Sequence, residues 1–383
     1  MTDLLGHGYM KLHTSEEAGF TLVELLVAIT IGILVCGVGF VALTTADKAT
    51  RANDLTVETQ QNARIAMDIL TYDIKRAGFG MDGNVVGNCQ VTVGGVAQAA
   101  AIVPGDNVMT GADTGPDRIS MVVPTTDSAW TIASPGTTAG FATITLQPGA
   151  GSAMVAAGLA VGSTGRNLIS IGGLITATVS NVTGDVLTLA TAVPPPAIFP
   201  QGTPVYLLQC MTYQVIQAPD TNNLCGGTTP CLVRGVTPAT SPRQCDVASS
   251  PCIPIADGVE DLQFAYACDG CNAVVNSGLA DGIIDDQGAV DNAFGNADWV
   301  SNNAWSTVPM LPNTIRLVRV GLLVRQAKQD IGMKEASMTS GTHSSGTFDV
   351  SINTDHVVTV SGTETQFRRR AIVRTVRTRN LQS

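Results

Sequence analysis

An isolated carboxylate lies near the start of a long apolar segment. From Phe20 to Leu43 the chain reads FTLVELLVAITIGILVCGVGFVAL, in which Glu24 is the only charged residue. Inserting a carboxylate into a bilayer costs about 2.5–3.5 kcal/mol at the centre of a spanning helix and less near its end. A cationic partner is therefore expected to neutralise the charge of Glu24. If the chain is cut between Gly19 and Phe20, the new α-amino group of Phe20 lies one helical turn from Glu24. The spacing therefore predicts a charge pair that proteolysis would create.

The apolar segment has the length of a membrane-spanning helix. Its 24 residues, 20–43, would extend about 36 Å as a helix, which is enough to cross the hydrocarbon core of a bilayer. A secretory signal peptide has a shorter apolar stretch, with basic residues before it and a small-residue cleavage site after it. We therefore expect a transmembrane helix over 20–43.

The helical pattern continues beyond the membrane segment as an amphipathic helix over 44–78. Its apolar seam recurs at spacings of three and four residues and consists of Ala63, Met67, Leu70, Ile74 and Ala77. The opposite side carries Glu58, Arg64, Asp68 and Lys75. Gly78 is the kind of residue that commonly ends a helix. The seam is therefore expected to face a folded head.

The octapeptide GFTLVELL, which starts at Gly19, resembles the prepilin processing motif of type IV pilins and type II secretion pseudopilins. The resemblance implies that residues 1–19 are a leader, and that a prepilin peptidase cleaves after Gly19 and N-methylates Phe20. It also implies that Glu24 neutralises the N-terminal amine of a neighbouring subunit. An ordinary signal anchor with a chance glutamate is the alternative. Translation from Met10 would give the compact leader MKLHTSEEAG.

Three further stretches resemble the PilW family of minor pilins. They are residues 60–80 after the membrane segment, the strand pair at 259–266 and 315–320, and the arginine-rich end at 367–380. The resemblance implies a minor pilin that assembles with other major and minor pilins on an inner-membrane platform. It would be a single-pass inner-membrane protein with a periplasmic head, and would later be part of a cell-surface pilus. A type II secretion pseudopilin and a pilus-displayed adhesin or ligand-binding head are the alternatives.

Composition beyond the helix favours strands over helices. Charged residues make up 14% of the chain, while Gly, Thr, Val, Ala and Ser recur throughout. Strands are predicted at 118–123, 142–147, 174–192, 205–216, 259–266, 315–325, 348–360 and 367–377. We therefore expect an α+β, pilin-like fold in which the long N-terminal helix packs on a β-rich antiparallel head, 79–383. An inserted subdomain is expected at about 125–200.

Eight of the nine cysteines lie in the predicted head. An even number outside the cytoplasm predicts a disulfide framework. Pairs close in sequence favour the bonds Cys225–Cys231, Cys245–Cys252 and Cys268–Cys271, which leaves Cys89 with Cys210. A zinc site that uses the C-x-x-C sequence is an alternative, although a structural site needs a second pair at similarly tight spacing.

An aspartate-rich segment, residues 280–298, could supply oxygen ligands to Ca²⁺. The candidate ligands are Asp281, Asp285 and Asp286, but their spacing does not fit an EF-hand. A solvated turn explains the same composition, because Asp, Asn and Gly favour turns on conformational grounds. No other cofactor is expected.

Charge and missing motifs argue against two functional classes. The net charge of −10 disfavours a nucleic-acid binder, although six basic residues lie within 368–379. That stretch could bind DNA or an acidic neighbour, or it could balance an acidic head. The chain has no Gly-x-Ser-x-Gly, P-loop or His-Glu-x-x-His sequence. An enzymatic function is therefore not expected.

Overall fold

The structure is a computed structural model, and it divides between Asp54 and Leu55 into two compact units. The residues it describes are 21–81, 89–105, 115–125, 129–162, 166–218, 224–236, 252–287, 294–301, 305–329, 338–339, 359–360 and 366–378. Helix α1 spans Leu22–Arg76.

The amino-terminal part of α1 is an exposed apolar stem. Its large apolar side chains between Leu22 and Leu43 are between 49% and 77% exposed. A window of 18 residues reaches a mean hydropathy of 2.7 with no residue buried, so length and composition suffice to cross a membrane. Apolar surface of this extent needs lipid or another protein to cover it.

From Leu55 onward, α1 packs on the head. All five residues of the predicted seam, Ala63 to Ala77, are fully buried in the main core, which confirms that this face contacts the head. The helix ends at Arg76, and Gly78 follows with a φ of 77°, a left-handed conformation that glycine adopts without a Cβ penalty.

Within its described residues, the head is almost entirely β structure with one short helix. Its strands are β1 (Gln90–Val93), β2 (Val96–Ala99), β3 (Ile102–Gly105), β4 (Arg118–Pro124), β5 (Trp130–Thr131), β6 (Thr143–Thr145), β7 (Leu168–Ile171), β8 (Ile175–Thr183), β9 (Val186–Leu189), β10 (Pro204–Ile216), β11 (Cys231–Val236), β12 (Cys252–Asp257), β13 (Val259–Cys268), β14 (Ile315–Arg325), β15 (Met338–Thr339), β16 (Thr359–Val360) and β17 (Arg369–Arg377). Helix α2 spans Ala150–Ala156, and short 3-10 turns span Asn276–Gly278, Asn296–Asp298 and Pro312–Thr314.

All pairs between these strands are antiparallel, as expected for the α+β class. A ten-stranded sheet runs β12-β11-β10-β7-β8-β9-β6, with β4 and β5 also paired to β10, and β3 paired to β4. A three-stranded sheet has the order β13-β14-β17. Two further sheets, β1-β2 and β15-β16, have two strands each. The long strand β10 is therefore the axis of the larger sheet.

The two largest hydrophobic cores among the described residues both involve the head. The main core joins the seam of α1 to residues of both larger sheets, among them Tyr213 and Phe264. The second core consists only of residues between Ile132 and Leu207, and it packs strands β5 to β9 around α2. We call this part, residues 129–207, the lobe. It overlaps the segment in which an insertion was expected.

Most predicted strands are present, with shifted ends. The predicted strand at 174–192 is the β8–β9 hairpin, which turns at Gly184 with a φ of 58°. Of the strand predicted at 348–360, only the last two residues lie within the described part of the chain, where they form β16. Helix α2 falls within the segment, about 125–200, in which an inserted subdomain was expected.

Candidate assembly site

Of the residues predicted to carry processing and assembly, the structure describes Glu24, which lies at the start of α1. Gly19 and Phe20 lie outside the described residues. Thr21 is the first described residue, and it caps the helix. Its N–H and its hydroxyl each donate to Oε2 of Glu24, both at 3.0 Å, while the N–H of Glu24 donates to the Thr21 hydroxyl at 3.3 Å. This reciprocal arrangement is a capping box, and it fixes the Glu24 carboxylate beside the N-terminus.

The carboxylate of Glu24 keeps one oxygen open. Both donors from Thr21 use Oε2, and no other donor within the described residues contacts Oε1. Glu24 is exposed, and its flanking residues Val23 and Leu25 are 68% and 58% exposed. The site therefore offers a single anionic acceptor within an apolar surface. Chemically, such a site can accept a hydrogen bond or an ion pair from a cation that arrives with an apolar partner.

A second carboxylate of α1 is buried against the head. Asp73 is 3% exposed, and its Oδ2 accepts hydrogen bonds from the Tyr213 hydroxyl at 2.5 Å and from Nε of Arg234 at 2.9 Å. Nη2 of Arg234 lies 2.9 Å from the same oxygen. Burial, together with the negative charge of Asp73, raises the pKa of Tyr213 far above its ordinary value, so the phenol remains a donor. The cluster fixes α1 to β10 and β11.

Sequence reasoning missed this buried cluster. Asp68 was assigned to the exposed face of α1, but Asp73 was not discussed, although it lies three residues after Leu70 and one residue before Ile74. A carboxylate on the apolar face of an amphipathic helix needs a buried donor or cation. The position of Asp73 on the apolar face was therefore the feature of the sequence that could have revealed the cluster. The partners, Tyr213 and Arg234, lie too far along the chain for spacing to reveal them.

The arginine-rich end is engaged within the head. Nε and Nη2 of Arg369 donate to the two carboxylate oxygens of Glu260 at 2.5 and 2.8 Å, and Arg325 lies 3.4 Å from the same carboxylate. Arg374 donates to Asp68 of α1 at 2.7 Å. These contacts favour the interpretation that the strand balances acidic residues of the head itself.

All seven described cysteines of the head are disulfide-bonded. Cys89 is bonded to Cys210, Cys225 to Cys231 and Cys268 to Cys271. Cys252 is also disulfide-bonded, while Cys245 lies outside the described residues. Since the sulfurs of Cys268 and Cys271 are bonded to each other, they do not provide the thiolate ligands of the alternative zinc site. Cys36 in the stem is a free, exposed thiol.

Two of the candidate calcium ligands accept hydrogen bonds from backbone N–H groups of their own loop. Oδ2 of Asp285 accepts the N–H groups of Cys271 and Asn272 at 2.7 and 2.8 Å, and Oδ1 of Asp281 accepts the N–H of Ile283 at 2.9 Å. Within the described ranges, no group of three or more His, Cys, Asp or Glu residues could hold a metal ion. Asp286 is half-buried at the same loop. Calcium binding at these three aspartates stays a prediction.

Comparison with protein families identifies two parts of the chain. Residues 216–380 match the family described as Type IV Pilus-assembly protein W, and residues 15–40 match the prokaryotic N-terminal methylation motif. The first match covers the three-stranded sheet and the strands β11 and β12, and the second includes Gly19, Phe20 and Glu24. The lobe lies outside both matches. Searches of curated proteins and of solved structures give no match.

Proposed function

Because the chain is a minor pilin of the type IV pilus-assembly protein W family, we propose that it primes assembly of the pilus at the inner membrane. A pilin with a prepilin motif interacts with other pilins and with the pilus assembly machinery, and its apolar N-terminal helix fits a membrane anchor. The observation that carries the proposal is the capped Glu24 carboxylate, open at Oε1, at the start of an exposed apolar stem. We infer a structural role rather than an enzymatic one.

The proposed mechanism begins with hydrolysis of the Gly19–Phe20 peptide bond by prepilin peptidase. Hydrolysis releases a carboxylate on the leader and an α-amino group on Phe20, which is then methylated and remains cationic. Glu24 of one subunit pairs with this cation of a neighbouring subunit. In lipid neither charge is stable alone, so the pair forms only when the two stems lie at the matching height. The pair would therefore set the register in which subunits enter the filament.

The stem and the head would have separate roles in this mechanism. The stem stores the subunit in the inner membrane and later packs against other stems, because its side chains are exposed along its length. The head lies in the periplasm and is fixed to α1 by the buried seam and by Asp73.

The first test is the N-terminus of the mature protein. In protein purified from its native host, mass spectrometry should detect N-methylated Phe20 as the first residue, with residues 1–19 absent. A matched preparation from a host without prepilin peptidase should retain the leader. Sheared surface pili should contain the mature form, whereas its recovery only from type II secretion complexes would favour the pseudopilin. A native chain that still begins before Phe20 would contradict the proposal.

The lobe supports a second candidate function, a pilus-displayed binding module. It has its own core, and it lies outside the region that matches the PilW family. Pro124 at the end of β4 is directly opposite Leu208 in β10, so the two strands can be joined after the intervening residues are removed.

Replacing residues 126–206 by a short glycine turn should leave filament incorporation near normal and abolish adherence. The remaining part of β10 keeps its pairing with β4 and β11, so the main core is retained. Adherence of cells and recovery of the variant in sheared pili would be measured together. Loss of filaments with the shortened chain, despite correct disulfides, would count against a separable binding module.

A further inference from the structure

Within the described residues, the edge strands of the larger sheet carry features that limit pairing with a further strand. Strand β12 contains Pro254 and a register shift against β11, and β3 contains Pro104. Strand β6 at the far end has only three residues. Prolines, bulges and short length are the usual means by which an edge strand avoids an unwanted partner.

In the three-stranded sheet, the edge formed by β13 is already occupied. Asp117 donates its N–H to the carbonyl of Leu262 at 2.7 Å and accepts the N–H of Phe264 at 2.8 Å. Farther along the strand, Tyr266 and Val300 exchange two backbone hydrogen bonds of 2.8 Å. This edge of the sheet is therefore closed to another strand.

Strand β17, at the opposite edge of this sheet, has none of these features. Its nine residues include neither proline nor glycine, and they pair with β14 in continuous register from Arg369 to Arg377. No described residue pairs with its outer edge, the edge that faces away from β14. A long and regular edge of this kind can accept a further strand.

Alternate residues of β17 direct their backbone groups to the outer edge. At its two ends, the carbonyl of Arg368 accepts the N–H of Gln326 and the N–H of Thr378 donates to the carbonyl of Arg316, both at 3.0 Å. Even-numbered residues therefore face β14, and odd-numbered residues face away from it, because the direction alternates along an antiparallel strand. The central residues of the outer edge are Ala371, Val373 and Thr375.

The face of β17 that lies toward α1 is basic. Arg374 donates to Asp68 of α1, and Arg370, four residues earlier in the strand, lies on the same face and is exposed. Arg64 and Lys75 are exposed on the side of α1 that carries Asp68. A strand added at the outer edge would therefore lie beside several cations and only one carboxylate, which is already engaged.

These charges favour an acidic strand and disfavour β17 of a second copy. Pairing of two β17 strands would place Arg370 and Arg374 of both copies on one face, and like charges across a strand pair are destabilising. The other face of β17 presents Val373, which is 51% exposed, and the exposed Thr375. Such side chains pack best against β-branched neighbours.

We propose that the outer edge of β17 binds an extended acidic segment of a different filament subunit as an added β-strand. Backbone hydrogen bonds to Ala371, Val373 and Thr375 would supply the affinity, and side chains would supply the selectivity. Carboxylates of the partner face Arg370, and its alternate residues, valine, isoleucine or threonine, pack beside Val373. That the partner is a filament subunit rests on the proposed function; the strand addition rests on the geometry of the edge.

The test uses the purified mature full-length protein in detergent and a fluorescent peptide as long as β17, in which glutamate alternates with valine and threonine. One control peptide has lysine in place of glutamate, and another has a central proline. Fluorescence anisotropy should show that the acidic peptide binds at least roughly tenfold more tightly than either control, and less tightly at high salt. Equal binding of the acidic and lysine peptides would overturn the proposal.

Val373→Pro separates strand pairing from charge. The N–H of Val373 faces away from β14, so proline removes a donor of the outer edge and leaves the pairing with β14 complete. The variant should bind the acidic peptide at least roughly tenfold more weakly, whereas Val373→Ala, which keeps the N–H, should lose no more than about threefold. A proline variant that unfolds cooperatively and binds as the wild type does would contradict strand addition.

Arg370→Glu should reverse the charge preference, with roughly tenfold weaker binding of the acidic peptide and tighter binding of the lysine peptide. If Arg370→Glu weakens binding of the acidic peptide while Val373→Pro does not, the arginines form a charged patch for polyanions such as nucleic acid. That result would also overturn the proposal.

Hydrogen exchange on the wild-type protein needs no variant. The N–H groups of Ala371, Val373 and Thr375 should exchange rapidly in the protein alone and slowly with the acidic peptide, while the N–H of Ile372 exchanges slowly in both. Slow exchange of the three groups without peptide, or no change on its addition, would refute the proposal. Either result can occur in a protein that carries methylated Phe20 and enters filaments, so it leaves the proposed function standing.

Discussion

Glu24→Ala is expected to leave cleavage after Gly19 near normal. It should reduce incorporation into surface filaments by roughly tenfold or more, because the loss of one member of a buried ion pair leaves the other charge buried without a partner. The substitution removes the acceptor at the start of α1 and leaves Gly19 and the apolar stem in place. Immunoblots would show the size of the protein in membranes and its amount in sheared filaments. Mature protein should accumulate in the membrane.

Two matched variants separate charge from helix capping. Glu24→Gln keeps a side chain that can accept a hydrogen bond, but it has no charge, so it should behave nearly as Glu24→Ala. Thr21→Val removes the hydroxyl that donates to Glu24, and it should cost about 1 kcal/mol of capping while the carboxylate remains. Its effect on incorporation should therefore be much smaller. Normal incorporation of Glu24→Ala would refute the role given to this carboxylate.

The stem and the seam of α1 could be predicted from sequence because local spacing determines both. An apolar run of 24 residues is typical of a membrane-spanning helix. Ala63, Met67 and Leu70 recur at helical spacing, so one face of the following helix was expected to be buried. The capping box could also be predicted, since Thr21 and Glu24 have the required three-residue spacing. The Glu24 carboxylate was instead interpreted only as the partner of a cation.

The strand predictions succeeded where strands are long and failed where they are short. Strand β14 was predicted at 315–325 with the ends that the structure has, because most of its 11 residues are aliphatic. Strands β1, β2, β3, β5, β7, β11, β12 and β15 were missed. Strand β7, for example, has only four residues, and it pairs with β8 directly after it and with β10 farther along the chain. Propensity within four residues is a weak signal when tertiary pairing decides the outcome.

The contacts of charged residues could not be derived from sequence for a similar reason. Arg374 and Asp68 are 306 residues apart, yet their side chains are 2.7 Å apart. The arginine-rich strand could be identified from its composition alone. Only the register of β17 on β14 shows that Arg369 lies beside Arg325, where both reach Glu260.

Asp73→Ala is expected to destabilise the head by about 3–5 kcal/mol, because it leaves Arg234 and the Tyr213 hydroxyl without their shared acceptor in the core. The side chain of Arg234 is 26% exposed, so water can partly solvate its charge, and the lower end of that range is expected. Denaturant unfolding of the full-length protein in detergent, with the disulfides intact, would measure the change in the free energy of unfolding.

Asp68→Ala is the matched control on the same helix, five residues earlier. Its ion pair with Arg374 is exposed, with side-chain exposures of 65% and 47%, so its loss should cost at most about 1 kcal/mol. A double variant, Asp73→Leu with Arg234→Met, removes both charges and should recover much of the loss, since an apolar pair leaves no buried charge without a partner. If Asp73→Ala costs no more than Asp68→Ala, the buried carboxylate does not fix α1 to the head. In that case the apolar seam alone would hold α1 on the head.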